Sequence, residues 1–467
     1  MFGFILQEYP EIADQGILYM DPWPIGFPMI VVYHPAMNAQ FTQENSLHKF
    51  WAQGHKEFKH FTNGEDLVHL EGQQWKRARA MFNPGFSVQN LLSLVPQFVE
   101  EAMVFRERLR KAAISGEVVK LGDLAIGVTI DIVGRAVLGT RLRTQSQPNR
   151  LTSVLQAQIS LVTLILDLSK ALSPTRHLKH WYYNRTIRKE LMPYIRDTIF
   201  NYEKIEGPKT IIALAFKSHM SETSDQSARG HISPAFLDWV IKNIKIFMFA
   251  GHDTTAIALA YCYWVLSENP DKLAKVRVEH DEVLGPDPTS AASLISADPT
   301  LLNKLPYTGA VLKETLRLFP PIGGTIRQSP PGHYLTHPET GQRYPTHGFM
   351  IHSSGSTLHR LPRYWPDATS FIPERFLVRD ENDPLHPYKN VWRTFELGPR
   401  GCIGQELVNL EIRLILALAV REFDIKDAYA DDAETFLVIK AYQNQTPEHS
   451  ATAHIKDALP VTIRARG

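Results

Sequence analysis

Cysteine is nearly absent from this sequence, since only Cys262 and Cys402 occur among 467 residues. Two thiols exclude a disulfide framework, a four-cysteine zinc site and a cysteine-held iron–sulfur cluster. They leave room for one reactive or metal-ligating thiolate. Net charge is also nearly absent, because 50 Lys and Arg face 49 Asp and Glu, which gives +1. The whole chain therefore has no electrostatic attraction to nucleic acid, and we exclude nucleic acid as a partner.

A long uninterrupted apolar run is missing as well. The best candidate, residues 246–266, contains His252, Asp253 and two threonines, and a buried helix explains it better than a membrane span. The apolar start, residues 1–6, is too short to cross a bilayer and has no basic segment before it. With 44% hydrophobic and 21% charged residues, the composition is that of a globular protein.

Hydrophobic periodicity predicts one α-rich domain with small β-sheets. Apolar spacings of three and four predict helices over most of residues 90–200. Ser233 and Pro234 are typical of a helix start, and Pro270 follows the end of the same apolar stretch. The long helix between them should be buried, because it is apolar on most of its faces. Further helices are expected over residues 306–318 and 403–423, and a meander without periodicity over 362–392.

Short strands are expected mainly at the two ends of the chain. Proline-bounded strand patterns cover residues 16–19 and 29–33, strands and turns fill 323–345, and alternating segments lie near residues 438 and 462. The polar segment 221–230 is expected to be mobile. We expect residues 1–70 to form a β-rich N-terminal part and residues 71–467 a helical core, both within one catalytic domain over 1–467.

The most informative segment is residues 395–404, FELGPRGCIG, which places Cys402 in a glycine-rich loop just before a helix. Gly398 permits backbone conformations that other residues avoid. Backbone N–H groups at such a turn, together with Arg400, lower the pKa of a thiol. Phe395 offers an apolar cover that excludes water. A thiolate in this setting is a soft ligand for iron, whereas Cys262 lies mid-helix between tyrosines and is expected to be a core residue.

This loop resembles the heme-binding signature of the cytochrome P-450 superfamily, F-x-x-G-x-R-x-C-x-G. The resemblance implies heme b with Cys402 as the axial iron ligand. It also implies a mainly α fold with small β-sheets (α+β), in which the heme lies between a long central helix and the cysteine loop. The sequence as a whole resembles those of eukaryotic microsomal members, in particular members of filamentous-fungal specialised metabolism. Glu396 departs from the pattern, because a smaller residue is usual there.

A second match is Glu314 and Arg317, which lie on one face of a helix. Taken alone, such a pair is usually an exposed ion pair. It is followed, however, by the segment Pro373-Glu-Arg375-Phe376. The resemblance implies that Glu314, Arg317 and Arg375 form a buried structural clamp beneath the heme.

The third match lies in the long helix, at residues 250–255. Small residues at Ala250 and Gly251 leave room beside the helix, and we expect the Thr254 hydroxyl to bond the Ala250 carbonyl or water. An ordinary threonine and a solvated aspartate are the alternative. The resemblance implies an oxygen-activation site in which Asp253 and Thr254 are the catalytic acid and alcohol, while His252 has no catalytic role.

A fourth match is Trp75 and Arg79, four residues apart on one helix. The resemblance implies that this helix donates to a heme propionate, together with Arg327 and Arg400. For Arg327 an exposed arginine is the alternative.

The resemblance implies a monooxygenase, an oxidoreductase that inserts one oxygen atom of O2 into its substrate. Electrons would come from an NADPH-cytochrome reductase, with cytochrome b5 as an optional second donor, since the sequence has no flavin or nicotinamide motif. Lys76, Arg77 and Arg393 are candidates for its basic docking face, with ordinary solvated cations as the alternative.

The substrate is expected to be a small lipophilic molecule, because the candidate pocket walls are apolar. Gly323 and Gly324 lack side chains, so a bulky substrate is expected to fit. The candidate lining residues are Phe247, Ala250, Ile322, Gly323, Gly324 and Thr325, together with the segment 51–62.

Two rival functions stay open at this point. One is a heme-thiolate isomerase or dehydratase that needs no reductase, against which the Asp253–Thr254 pair argues. The other is a non-enzymatic heme sensor or store, against which the apolar pocket elements argue. By resemblance we expect the cytoplasmic face of the endoplasmic reticulum membrane. Microsomal members usually begin with a membrane anchor that this sequence lacks, so we expect surface association for the full-length protein.

Overall fold

The computed structural model describes residues 10–23, 26–44, 46–49, 58, 60–162, 173, 175–201, 209–222, 233–436, 439–444 and 452–466. They fall into two compact units. Unit 1 comprises the described parts of Met1–Ala52 and Ala310–Cys402, and unit 2 those of Gln53–Gly309 and Ile403–Gly467. The single catalytic domain expected from the sequence remains a prediction.

Helices make up most of the described chain. In chain order they are α1 Pro10–Gln15, α2 Pro35–Ala39, α3 Gly72–Phe82, α4 Val88–Ser115, α5 Leu121–Leu138, α6 Arg150–Ile159, α7 Thr175–Asn201, α8 Ile211–Glu222, α9 Pro234–Glu268, α10 Pro270–Leu284, α11 Ala291–Ala297, α12 Pro306–Leu318, α13 Gly355–Leu358 and α14 Gln405–Ala419. A π-helix, Gln40–Glu44, continues α2. The prediction of a mainly α fold with small sheets is therefore confirmed.

The strands are short. They are β1 Ile17–Met20, β2 Met29–Val32, β3 Val119–Lys120, β4 Thr325–Gln328, β5 Tyr334–Thr336, β6 Arg343–Pro345, β7 Met350–Ser353, β8 Phe423–Asp427, β9 Gln443–Asn444, β10 His454–Ile455 and β11 Pro460–Ala465. Unit 1 contains the four-stranded sheet β1-β2-β7-β4, in which only β2 and β7 run parallel, and the hairpin β5-β6. Unit 2 contains the antiparallel sheet β3-β11-β8 and the hairpin β9-β10.

The core of unit 1 includes a cluster on its four-stranded sheet, in which Ile17, Ile30 and Ile351 pack with Met37 and Phe41 of the following helices. Val31, the neighbour of Ile30 in β2, belongs to a second buried cluster together with Tyr33. Such burial of branched apolar side chains is what fixes the register of short strands. The segment 362–392 contains the 3-10 helix Pro373–Phe376 and, as expected, neither an α-helix nor a strand.

The long helix α9 forms the centre of unit 2. The Ser233 hydroxyl accepts a hydrogen bond from the Phe236 N–H at 3.1 Å, and Asn269 occupies the other end, so both predicted limits are confirmed. Helix α9 has 35 residues and is buried along most of its length. Gly251 faces α5, where an added Cβ would lie 3.0 Å from Val133 Cγ2, so this glycine permits close helix packing.

The other predicted elements are largely present. Helices α4 to α7 cover most of the described part of 90–200, α12 has the predicted limits, and strands occur at both predicted N-terminal positions. The last helix is shorter than predicted, because Gly404 caps it and strand β8 already begins at Phe423. The predicted strand at residue 438 and most of the segment 221–230 lie outside the described residues. Within the described ranges, no helix is both long and apolar enough to cross a membrane.

A buried lysine joins α9 to three other segments of unit 2. Lys245 Nζ donates to the Phe61 carbonyl and, at 2.7 Å, to Asn184 Oδ1 of α7. Asn184 Oδ1 also accepts from Gln158 of α6 at 3.0 Å, and its amide donates to the His60 carbonyl at 3.0 Å. Burial lowers the pKa of Lys245 to about 7. The ammonium group is therefore costly in the folded protein.

Replacing Lys245 by methionine is expected to flatten the pH dependence of stability between pH 7 and about 10.5. In this interval the unfolded chain holds a proton that the folded protein has released, so the free energy of unfolding of the wild type rises with pH. The full rise is of the order of 5 kcal/mol, at roughly 1.4 kcal/mol per pKa unit. Urea unfolding at pH 7, 8.5 and 10 measures the slope.

Lys242→Met is the matched control, because Lys242 lies in the same helix but forms ion pairs with Asp238 and Glu65. It should keep the wild-type rise over this interval. Equal slopes for Lys245→Met and the wild type would contradict the prediction.

Candidate active site

The loop that carries Cys402 lies in unit 1 and is closed by its own backbone. The Cys402 N–H donates to the Phe395 carbonyl at 2.9 Å, and the Gly401 N–H donates to the Gly398 carbonyl at 2.9 Å. The Cys402 side chain is exposed, three residues before α14 begins at Gln405. A thiol in front of a helix N-terminus is stabilised as the thiolate. The loop can therefore present a sulfur ligand to an iron centre.

Gly398 is required by this loop for two reasons. Its φ of +92° is unfavourable for other residues. An added Cβ would also overlap the Thr42 carbonyl oxygen in the π-helix Gln40–Glu44. The Arg393 guanidinium joins the same two segments by donating to Thr42 Oγ1 at 2.6 Å. The N-terminal π-helix thus packs against the cysteine loop and supports it.

Glu396, the departure from the family pattern, turns back into the loop. It has a φ of +57°, accepts from the Leu397 N–H at 3.0 Å and forms an ion pair with Arg393. The Arg393 side chain is 0% exposed. The prediction that Arg393 belongs to a docking face is therefore wrong, because its charge is neutralised inside unit 1. Lys76 and Arg77 are exposed on α3, so the prediction for them stays open.

Glu314, Arg317 and Arg375 come together in unit 1, where all three side chains are 0% exposed. Arg317 binds Glu314 with two parallel hydrogen bonds, at 2.7 and 2.8 Å. Arg375 Nε donates to Glu314 Oε1 at 3.3 Å, and the Ile372 N–H donates to the same oxygen at 2.9 Å. The cluster is therefore present as expected.

The two arginines of this clamp also hold the meander in place. Arg317 donates to the carbonyls of His359, Ala368 and Ser370 at 2.6 to 3.0 Å. Arg375 donates to the Asp367 carbonyl at 3.0 Å. Burial lowers the pKa of Arg375, and the charge of Glu314 opposes this effect. Charge neutralisation and these carbonyl contacts make the burial of three ionised groups tolerable.

Arg327 is fully buried in strand β4, which excludes the alternative of an exposed arginine. It donates to Thr325 Oγ1 at 2.6 Å and to the Ile326 carbonyl at 3.2 Å. Arg400 and Phe395 are half-buried in the cysteine loop, and the Phe395 ring packs edge-on against Trp392 at 5.8 Å. Both guanidinium groups suit the carboxylates of a heme.

The candidate substrate segment after α12 is only partly as expected. Ile322 and Gly323 are exposed, and Gly324 and Thr325 are half-buried. An added Cβ on Gly324 would overlap the Ser353 carbonyl of β7, and one on Gly323 would lie 3.1 Å from Ser356 Oγ. Gly324 therefore serves backbone packing, and this finding replaces the interpretation that it leaves space for a bulky substrate. Gly323 is exposed and would meet only a side chain, so for this residue the interpretation stays a prediction.

Helix α9 of unit 2 is buried along most of its length, but several residues in its middle are exposed or half-buried. Ala250 is exposed, and Thr254 Oγ1 donates to its carbonyl at 2.8 Å, which confirms the expected bond. His252 is buried and bonds the Met248 carbonyl through Nδ1 at 2.6 Å. Burial lowers the pKa of His252. The backbone carbonyl of His252 also accepts a hydrogen bond from Thr129 Oγ1 at 2.9 Å, so both its ring and its backbone make structural contacts.

Asp253 is not a solvated aspartate. Its Oδ2 accepts from Thr452 Oγ1 at 2.6 Å, and its Oδ1 lies 3.3 Å from His454 Nε2. Burial raises the pKa of Asp253, but the hydrogen bond and charge of His454, the charge of His252 and the bond from Thr452 outweigh it and lower the pKa to about 2. The sequence analysis missed Thr452 and His454, and no pattern could have found them, because Thr452 is 199 residues from Asp253.

The remaining predicted residues of unit 2 lie on or near α3 and α9. Trp75 and Arg79 are half-buried on α3, where Arg79 Nε donates to Asn83 Oδ1 at 2.9 Å. Phe247 is buried against the rings of Phe82 and Phe86, at 4.8 and 5.4 Å. Of the segment 51–62, residues 51–57 and 59 lie outside the described residues.

The family model described as Cytochrome P-450 matches residues 20–443 of this chain. The chain belongs to the cytochrome P-450 family. It is 36% identical over 434 residues to the cytochrome P-450 monooxygenase polC of Polytolypa hystricis, covering 92% of this chain and 76% of that protein. It is 31% identical over 443 residues to the cytochrome P-450 monooxygenase acrF of Aspergillus aculeatus, covering 91% and 87%.

Solved structures agree with the fold of this P-450. The heme domain of a cytochrome P450DA mutant matches with a TM-score of 0.77 at 19% identity, covering 99% of this chain and 92% of that one. This likeness confirms the predicted cytochrome P-450 fold. The predicted enzyme class, an oxidoreductase of the monooxygenase type, is confirmed by the monooxygenase relatives.

The residues present fit the heme-iron cofactor that membership in the family implies. The donor set contains one exposed thiol in front of a helix, which suits a soft iron ligand. Unit 1 adds a fully buried arginine, Arg327, and a half-buried one, Arg400, which suit carboxylates. Family membership also implies O2, a redox partner and a lipophilic substrate.

Proposed function

We propose that this P-450 is a heme b monooxygenase that inserts one oxygen atom of O2 into a small lipophilic substrate by hydroxylation, epoxidation or a related oxidation. The observation that carries the proposal is the exposed Cys402 thiol on a loop that is closed by its own backbone and packs against the π-helix Gln40–Glu44. The resemblance of the chain to two fungal monooxygenases favours a role in secondary-metabolite biosynthesis.

Each unit contributes its own residues to this function. In unit 1, Cys402 would ligate the iron, Phe395 would limit water near the sulfur, and Arg327 and Arg400 would bind propionates. In unit 2, Trp75 and Arg79 of α3 are assigned to a propionate by the family resemblance. Bound heme supplies the activation of O2. The protein positions the cofactor and tunes the thiolate.

The acid–alcohol pair on α9 would deliver protons. The Thr254 hydroxyl is held by the Ala250 carbonyl on an exposed part of the helix, and the Asp253 carboxylate is ionised. An ionised carboxylate can accept a proton from solvent and pass it to a neighbouring hydroxyl. Asp253 and Thr254 are therefore the proposed catalytic residues. This pair also favours a monooxygenase over an isomerase, a dehydratase or a heme sensor, none of which needs delivered protons of this kind.

The proposal includes the partners and location that the family resemblance favours. The electron donor would be an NADPH-cytochrome reductase, with cytochrome b5 as an optional second donor, and exposed Lys76 and Arg77 would take part in docking. The location would be the cytoplasmic face of the endoplasmic reticulum membrane. Among the proposed substrate contacts, Ala250, Ile322 and Gly323 are exposed, and Gly324 and Thr325 are half-buried.

Oxygen labelling tests this function directly. A panel of monocyclic and polycyclic apolar compounds is first screened for a substrate-induced spin-state shift of the holoenzyme. Compounds that shift the spectrum are then incubated with NADPH, a P-450 reductase and ¹⁸O2. We expect a product that carries one ¹⁸O atom and forms only when NADPH and reductase are both present. Turnover without NADPH, or an unlabelled product, would contradict monooxygenation and favour the isomerase or dehydratase.

A further inference from the structure

Three polar groups of unit 2 form a closed triangle beside the proposed relay acid. Thr452 Oγ1 lies 2.6 Å from Asp253 Oδ2 and 3.0 Å from His454 Nε2, and His454 Nε2 lies 3.3 Å from Asp253 Oδ1. The Asp253 and His454 side chains are only 11% and 16% exposed. Each group in the triangle therefore lies within hydrogen-bond or ion-pair distance of the other two.

Counting protons fixes the donors in this triangle. An ionised carboxylate only accepts, and a threonine hydroxyl has a single proton to donate. The 2.6 Å contact uses this proton for Asp253, so the Thr452 oxygen must accept from His454. His454 Nε2 therefore carries a proton, in either the neutral or the cationic ring. The Thr452 hydroxyl thus donates to Asp253 Oδ2, and the Nε2–H of His454 is shared between the Thr452 oxygen at 3.0 Å and Asp253 Oδ1 at 3.3 Å.

The two halves of the acid–alcohol pair face different partners. Successive residues of a helix are rotated by about 100°, since one turn takes 3.6 residues. The Thr254 hydroxyl bonds within α9, to the Ala250 carbonyl. The Asp253 carboxylate instead contacts Thr452, just before strand β10, and His454, the first residue of that strand. To pass a proton to the threonine, the Asp253 side chain must leave Thr452 and His454. These two residues therefore set how readily the acid can act.

We propose that Thr452 and His454 are positioning residues for Asp253, which hold its carboxylate ionised and turned away from Thr254 and so control proton delivery in this P-450. The inference rests on the proposed function, because it concerns the acid assigned there. Two titratable rings act on Asp253 among the described residues: His252 beside it on α9, which is buried, and His454 on β10. Of these, only His454 contacts the carboxylate.

An infrared titration of the Asp253 carboxyl group in the holoenzyme tests the proposal without measuring activity. The band of the protonated carboxyl is followed against pH and identified by its loss in Asp253→Asn. In the wild type this band should be absent at every pH above about 4, since hydrogen bonds to the ionised form of a buried acid keep it ionised. In His454→Leu and in Thr452→Val the band should appear at a pH higher by about one unit or more, because burial is then less opposed.

Two further variants separate positioning from a general structural effect. His454→Gln keeps an N–H donor without a charge, so its titration should lie between those of His454→Leu and the wild type. His347→Leu, at an exposed turn of unit 1, should titrate like the wild type. With NADPH and a P-450 reductase, the pH profile of NADPH consumption should shift in the same direction as the infrared band.

The outcomes distinguish this inference from the proposed function. An unmoved carboxyl titration in both His454→Leu and Thr452→Val overturns the positioning role, while the heme spectrum of the same samples still reports on the thiolate ligand. Thr452→Val changes a single hydroxyl, so it tests the proposal even if His454→Leu fails to fold. If no heme is bound, the proposed function fails, and the titration of the folded chain still decides whether Thr452 and His454 hold the acid.

Discussion

Replacing Cys402 by serine is expected to abolish the strongly red-shifted Soret band of the dithionite-reduced protein under carbon monoxide. This band requires a thiolate opposite the carbon monoxide, and serine provides only an alcohol whose alkoxide is not accessible near neutral pH. The loop itself should survive, because its closing bonds come from backbone groups and Ser has nearly the same size as Cys. Loss of the band should be complete, and monooxygenation should fall by several orders of magnitude, since the push of the thiolate on the O–O bond is lost.

Cys262→Ser is the matched control, because Cys262 is the second of only two cysteines in the chain. It is buried in α9, and it should keep the red-shifted band even if some stability is lost. Equal heme content in the three proteins, measured after extraction, separates ligand loss from cofactor loss. A red-shifted band that persists in Cys402→Ser would refute the assignment of the iron ligand.

Removing the carboxylate of the buried clamp is expected to have the largest effect on stability. Glu314→Ala leaves Arg317 and Arg375 as two uncompensated buried charges that lie side by side. Breaking a buried ion pair in this way typically costs about 3–5 kcal/mol. That is a large part of the net stability of a folded domain, which is roughly 5–15 kcal/mol. Urea unfolding followed by circular dichroism measures the loss, and we expect a lower yield of folded holoenzyme as well.

Glu107→Ala provides the comparison, since Glu107 and Arg110 have the same residue types and the same spacing on a helix. Their side chains are 50% and 42% exposed, however, and their nitrogen and oxygen lie 3.1 Å apart. An exposed pair contributes at most about 1 kcal/mol. Similar losses for Glu314→Ala and Glu107→Ala would show that burial of the clamp has no energetic consequence, and would contradict its proposed structural role.

Local patterns explain what the sequence predicts well. The limits of α9 follow from Ser233, Pro234 and Asn269, and the Thr254–Ala250 bond follows from a spacing of four residues on one helix. In the same way, α12 has its predicted limits. Such features depend on hydrogen bonds and backbone preferences within one segment, which are visible in the order of the residues.

Contacts between distant segments account for what the sequence does not reveal. Arg393 looks like a surface cation in the sequence, yet it is buried because it reaches Thr42, which is 351 residues away. Gly324 looks like space for a substrate, yet it is needed because β7 passes so close. The partners of Asp253 are equally remote. Without knowledge of which strands become neighbours, no residue pattern predicts these contacts.

The packing of the π-helix against the cysteine loop has a consequence for how the chain acquires its native state. Because the loop needs Gly398 against Thr42 and a bond across 351 residues, it cannot adopt its final backbone until both of these distant segments have left the ribosome. Loop closure over such a separation is slow compared with local helix formation. We therefore expect the cysteine loop to reach its final backbone only after the local helices have formed.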